Sequence, residues 1–446
     1  MEIRSQTSRA TTSQARCWLV PMTIVVGLAV SSCGTSPNPP ASVSAPTPGR
    51  SLAPSPSPAT PTTTAPATTP PSTAPSAVTT GALPRPVKPA TKPARSSDAA
   101  IRALARMSLE QRVGQLIMVG AKATDPPAST SAAISSHHVG NVILSGRSSL
   151  GTVATSRVSA RLRARATKGA TAGVGLFVAA DQEGGQVQVF RGAGFSTIPD
   201  ALTQGGWATS RLRASAATWG NELRSAGVNV NLAPVADTVP RAMAGSNRPI
   251  GFYQREFGFT TAVVGEHASA FVRGMRASGV AATPKHFPGL GRVTSNTDTT
   301  AGVTDSTTTR HDTYLGPFRQ AIAAGAPFVM MSSATYSRID PRNPACFSPT
   351  IITGMLRGDL GFRGVVISDD LGASKQVSRW SPGSRATKFV SAGGDMVLTV
   401  DPALAPAMAQ ALVAKASTSA FFRQQVDAAA LRVLRAKASA GLLPLS

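Results

Sequence analysis

The chain is short of several things, and each shortage excludes a class of protein. Only three cysteines occur in 446 residues, and Cys346 is the sole one beyond the first 33, so that region forms no intrachain disulfide. A lone cysteine of this kind reads as a small buried apolar residue rather than a nucleophile. No Cys/His cluster has metal-ligand spacing, there is no HExxH, and no GxGxxG follows the first strand-like run. No metal and no organic cofactor is implied. The apolar run at 18–30 is too short for a comfortable membrane span. Acids are scarce: 21 Asp and Glu stand against 44 Lys and Arg, a formal charge of +23. Such a balance favours anionic surroundings, phospholipid head groups or acidic wall polymers. Nucleic acid is the usual competitor, but no nucleic-acid motif is present.

What is there begins with an export pattern. Arg4, Arg9 and Arg16 precede the apolar run, which closes on Leu28-Ala29-Val30-Ser31-Ser32-Cys33. Small residues before a cysteine resemble the bacterial lipoprotein box, which implies a signal peptide over 1–32 and a lipidated Cys33. The weaker alternative is an ordinary signal cleaved nearby. Residues 34–97 hold 17 of the 35 prolines, much Ser, Thr and Ala, and no acid. With so little to bury, 33–97 reads as a disordered tether. Residues 1–97 carry eight Lys/Arg and one acid, which leaves +16 on 98–446.

After Asp98 the composition changes to that of a folded domain. An amphipathic stretch at 101–112 comes first. Apolar runs then recur at 116–120, 141–145, 175–181, 228–237, 280–286, 328–336, 364–370 and 396–401. They are nearly continuous rather than alternating, which suits strands buried on both faces of a parallel sheet. Helical patterns intervene, most clearly at 212–223, 263–275, 313–323, 406–414 and 422–438. His267 falls on an apolar helix face and reads as a packed histidine. Eight strand–helix units predict an α/β fold, a (β/α)8 barrel over 98–446, with a doubly wound sheet as the runner-up.

Several of the runs end on hydrophilic residues: Asp181, Asp237, Lys285-His286, Tyr336, Asp369-Asp370 and Asp401. In a barrel these ends converge on one mouth. The densest is Lys285-His286-Phe287-Pro288-Gly289-Leu290-Gly291, where a strand stops on two functional groups and opens into a glycine-rich loop. Carboxylates beside Lys and His suggest acid/base or carboxylate-nucleophile chemistry. Glycoside hydrolysis needs two carboxyl-type groups across one bond. Trp207, Trp219, Phe252 and Tyr253 are available as an aromatic floor for a sugar.

These motifs resemble glycoside hydrolase family 3, in its single-domain β-N-acetylhexosaminidase branch, and most of all its actinobacterial lipoprotein members. The resemblance rests on Ser108-Leu109-Glu110 with Gly114-Gln115-Leu116, Asp181-x-Glu183-Gly184-Gly185, Ala233-Pro234-Val235 with Asp237, Lys285-His286-Phe287-Pro288-Gly289 and Ser368-Asp369-Asp370-Leu371. It implies a retaining exo-enzyme that removes terminal N-acetylglucosamine from peptidoglycan fragments. The partners implied are those saccharides, and a membrane through the lipid anchor. The resemblance assigns Asp369 as nucleophile, with Asp370 holding its neighbours. It places Asp181, Lys285, His286 and the loop arginine Arg248 around the sugar.

The sequence departs from the family twice. The branch normally reads Pro-Gly-His-Gly, four residues, then Asp-Ser-His, whose Asp and His form the acid/base dyad. Here Asn296 and Asp298 stand in those places. Asp298 is the expected acid/base, provided its pKa rises through burial or a neighbouring negative charge; His311 is not expected to substitute. After Gly185 the family often carries Arg-Val-x-Arg, where this chain has Gln186-Val187-Gln188-Val189, with Arg191 beyond. The missing dyad leaves a non-catalytic wall-binding lipoprotein as the alternative of a different class. β-Glucosidase and phosphorylase chemistry are alternatives within the family.

Overall fold

The structure is a computed structural model that describes residues 92–444. The expected signal peptide, Cys33 and most of the tether lie outside the described residues. The first described helix, Lys92–Ala105, starts ahead of the composition change at Asp98, so the tether's last residues are helical. The single amphipathic stretch expected at 101–112 is divided. A second helix, Leu109–Gln115, starts from an N-cap at Ser108. Ser108 Oγ accepts from Gln111 N at 3.2 Å, and Gln111 Oε1 accepts from Ser108 N at 3.1 Å. The two bonds satisfy donors that a helix start leaves orphaned.

Eight parallel strands follow: β1 Ile117–Lys122, β2 Asn141–Ser145, β3 Phe177–Ala180, β4 Val230–Asn231, β5 Ala281–Ala282, β6 Phe328–Met331, β7 Val365–Asp370 and β8 Met396–Thr399. Their order is β5-β4-β3-β2-β1-β8-β7-β6. The two ends of that order meet: Phe287 N donates to Met330 O at 2.8 Å, and Ser332 N donates to Phe287 O at 2.8 Å. The sheet thus curls into a (β/α)8 barrel rather than an open doubly wound sheet. Helices including Gly151–Arg163, Thr209–Ser225, Thr261–Ala277 and Pro382–Ser391 connect successive strands.

Six of the eight strands are shorter than their apolar runs, β4 most of all. The run at 228–237 pairs regularly only at Val230–Asn231. Pro234, preceded by a cis peptide bond, offers no N–H to a ladder, although Val235 bridges to Lys285 beyond it. The run at 328–336 divides into β6 and the two-residue strand Thr335–Tyr336.

Side-chain parity sorts each strand. Met118, Ile143, Phe177, Ala179, Val230, Phe328, Met330, Val365, Ile367, Met396 and Leu398 fill the barrel interior. Ile117, Val119, Val142, Leu144, Val178, Val329, Val366 and Val397 face the helices. Phe177 meets Phe328 edge-on at 5.3 Å across the interior. Truncating such a buried ring to alanine costs about 3–5 kcal/mol. Lys437 is fully buried and donates to Gln115 Oε1 at 2.6 Å and Gly140 O at 2.8 Å. Burial holds its ammonium well below the usual lysine range.

Candidate active site

The parity of β3 continues into Asp181, two residues beyond inward-facing Ala179. The chain then turns through Gln182–Gly184 into Val187–Gln188, an antiparallel pair. Gly184 has φ +117°, and a Cβ there would lie 2.1 Å from Pro199 O, so only glycine makes this turn. The turn delivers Glu183 to the buried Lys285. Lys285 Nζ lies 2.6 Å from Asp181 Oδ1 and 2.6 Å from Glu183 Oε1. Arg255 grips the same carboxylate in a fork, Nη2 to Oε1 at 2.8 Å and Nε to Oε2 at 2.9 Å. Two cations thus face two carboxylates in a dry wall of the mouth. Burial alone would raise the Glu183 carboxyl, but Arg255 and Lys285 outweigh it and hold the group at about 2. Lys285 is likewise raised despite its burial, chiefly by Asp181 and Glu183.

His286 follows Lys285 through a cis peptide bond and turns to a different acid. Its Nδ1 lies 2.8 Å from Oδ2 of the wholly buried Asp237. Oδ1 of Asp237 also accepts the backbone N–H groups of His286 at 3.1 Å and Leu290 at 2.8 Å. One carboxylate therefore fixes both the imidazole and the glycine-rich turn, and it leaves Nε2 free to meet a ligand. Tyr336 braces the same turn, its hydroxyl donating to Gly289 O at 2.7 Å.

On β7 the inward set Val365, Ile367 continues into Asp369, while Asp370 has the opposite parity. Their contacts differ accordingly. Asp370 Oδ1 accepts from Gly372 N at 2.8 Å and Val400 N at 3.2 Å, so it staples the β7 turn to the end of β8. Among the described residues, the Asp369 carboxylate accepts only the N–H of Asp370, at 2.9 Å. Asp369 is the carboxylate left available to a ligand.

Asp298 comes from the long loop after β5. Its N–H donates to Asn296 Oδ1 at 2.9 Å, a local Asx turn. Asp298 stands open to the mouth, yet protein and acids crowd it. Desolvation and the neighbouring charge of Asp369 push its carboxyl up to about 6, against smaller opposing effects of His286 and Arg255. A carboxylate that is free beside a carboxyl that holds its proton can attack a carbon and protonate a departing oxygen.

Asp181, Lys285, His286, Asp298 and Asp369 meet at one mouth. Arg248 does not join the hydrogen-bonded network of Asp181, Glu183 and Lys285: it is exposed, with its guanidinium 4.6 Å from the Phe252 ring centre. The arginine in the network is Arg255, missed because nothing in the sequence pairs it with Glu183. A buried glutamate with one lysine to share with Asp181 was the available hint. Asp401, just past the end of β8, caps the turn at Pro402–Leu404. Arg191 donates to Gly185 O at 2.8 Å and so braces the Glu183 turn. Trp219 is buried and packs on Trp207, so neither is a sugar floor; Phe252 and Tyr253 are exposed. His267 is a core residue bonded to the carbonyls of Val263 and Trp207. Cys346 is buried, which pushes its thiol up to about 12 and makes it inert.

The chain is similar to proteins already known. Residues 108–436 match the family described as the glycosyl hydrolase family 3 N-terminal domain. A β-hexosaminidase of Stenotrophomonas maltophilia (strain R551-3) is 35% identical over 297 residues, 65% of this chain and 84% of that protein. The crystal structure of a β-N-acetylhexosaminidase from Beutenbergia cavernae is 54% identical, with a TM-score of 0.74 over 74% of this chain and 98% of that one. A family 3 β-N-acetylglucosaminidase from Paenibacillus sp. FPU-7 is 30% identical, with a TM-score of 0.68 over 76% of this chain and 64% of that one.

Proposed function

The chain belongs to glycosyl hydrolase family 3, and on that premise we propose that it is a retaining β-N-acetylhexosaminidase that releases terminal N-acetylglucosamine from peptidoglycan fragments. The observation that carries the mechanism is an unengaged Asp369 with a second carboxyl, Asp298, near enough for its charge to raise it. In the first step an Asp369 oxygen bonds to the anomeric carbon as the glycosidic C–O bond breaks. The proton of Asp298 goes to the departing oxygen. In the second step water, deprotonated by Asp298, attacks the glycosyl ester and restores both carboxyl groups. Asp181, Lys285 and His286 bind the sugar hydroxyls. Arg255 keeps Glu183, and through it Lys285, in place.

The aglycone and the site of action rest on the sequence. The lipoprotein pattern at Cys33 and the acid-free tether support a membrane-anchored enzyme on the extracytoplasmic face, working on wall fragments in recycling. The test is release of 4-nitrophenol from its β-N-acetylglucosaminide by the wild type and by Asp369→Ala. Release by the wild type alone, with a 2-fluoro sugar trapped on the peptide containing Asp369, supports the reading. No release by either, with muropeptides still bound, would make the protein a wall binder. Faster release from the matching glucoside would make it a β-glucosidase.

A further inference from the structure

The face opposite the mouth is basic. Helices returning from the mouth end there, and their last turns carry Arg163, Arg224, Arg276 and Arg357. Favourable interaction with helix dipoles accounts for basic residues at such ends. It does not account for the cavity of about 460 Å³ that opens between the starts of β5 and β6 and the helices Thr261–Ala277 and Ala420–Ser439.

The floor of this cavity is apolar, with Phe177, Val272, Val280 and Phe328; its rim carries Arg276, Arg363, Arg432 and Arg435. These four guanidinium groups have one carboxylate between them. Asp395 accepts Arg432 Nε at 2.7 Å, but its other oxygen takes Arg357 Nη2 at 2.6 Å. Among the described residues, Arg276, Arg363 and Arg435 are exposed and have no ion pair. Arg357, just behind, is held below the usual arginine range by burial and by Arg432 and Arg363, against the pull of Asp395. Like charges gathered round a low-dielectric concavity repel one another unless an anion lies among them. Guanidinium forks match the oxygens of phosphate, and the apolar floor asks for a hydrocarbon portion beside it.

We propose that this cavity binds a phosphate ester that carries an apolar group, at the end of the barrel away from catalysis. An anionic phospholipid and a soluble aryl phosphate are two sources of that chemistry. The two sites lie at opposite ends of the barrel, so both can be filled at once.

Calorimetric titration of the full chain tests this with hexyl phosphate, inorganic phosphate and hexanol. Saturable one-to-one binding of hexyl phosphate is expected, at least about tenfold tighter than inorganic phosphate and absent for hexanol. Arg276→Glu with Arg435→Glu should weaken it at least about tenfold, and Ser439→Trp should block it without changing charge. Arg157→Glu with Arg161→Glu, an equal charge change on the helix Gly151–Arg163, which does not line the cavity, should leave it intact. Unchanged turnover of the aryl N-acetylglucosaminide in every variant reports an intact fold. Dihexanoyl phosphatidylglycerol against phenyl phosphate then ranks the two sources. No saturable binding of hexyl phosphate, or equal binding by the two double variants, overturns the proposal.

Discussion

Gln376 pairs edge-on with the backbone of Val303. Its Oε1 accepts the Val303 N–H at 2.8 Å, and its Nε2 donates to the Val303 carbonyl at 3.1 Å. The loop that carries Asp298 is thereby fastened to the loop that follows Asp369. Next to this clamp, Thr297 O accepts from Ser374 Oγ and Gln376 N, both at 3.0 Å, and Asp298 O accepts from Lys375 N at 3.2 Å. Gln376→Leu keeps the bulk and strands two buried backbone groups. The expected loss is about 1–3 kcal/mol of stability in urea unfolding. Turnover of an N-acetylglucosaminyl disaccharide should fall more than that of the nitrophenyl substrate, because the proton donor is what loosens.

Asp298→Asn removes that donor directly. Turnover of substrates with poor leaving groups should drop by about 10²–10⁴-fold, while activated aryl glycosides are largely spared. Steady-state kinetics on the two classes decides it; an equal loss on both removes Asp298 from the role.

The raised carboxyl of Asp298 also sets a pH signature. A general acid must hold its proton, so kcat/KM on an unactivated glycoside should decline above a pH of about 6, and Asp298→Asn should lack that limb. The effect on stability has the same origin. Between 3.8 and about 6 the folded chain keeps a proton that the unfolded chain has released. Stability is therefore lost as pH rises through that window and stays lost above it. Asp298→Asn should melt higher than wild type at pH 7, and the gap should close toward pH 4.

Glu183 behaves in the opposite sense. Its carboxyl lies at about 2 when folded and near 4.5 when not, so its stabilisation is present above 4.5 and fades as pH falls through about 2. Glu183→Gln leaves Arg255 without its buried partner. The expected cost at pH 7 is about 3–5 kcal/mol, shrinking in acid, as measured by urea unfolding across pH.

The barrel was legible because strands buried on both faces spell continuous apolar runs, and because their polar ends cluster. Asp369 stood out through its motif, and parity with Val365 and Ile367 is the physical reason its side chain turns inward. Arg255 was not, because its partner Glu183 is 72 positions away and no periodicity connects them. Asp237 was visible as a strand end, but its three donors come from a turn whose geometry appears only in three dimensions. The early end of β4 was hidden for a similar reason: apolarity persists through 228–237 after regular pairing stops.

The bonds that seat Thr297 and Asp298 against the neighbouring loop end on main-chain oxygens. None of them reads the side chain at 298, and the Asx turn at Asn296 is one an aspartate makes equally well. The scaffold therefore provides a berth, and whatever proton carrier is encoded there docks beside the same partner. A histidine at 298 would arrive at the same address as the aspartate, and with an aspartate at 296 the two substitutions would rebuild the dyad without redrawing the loop.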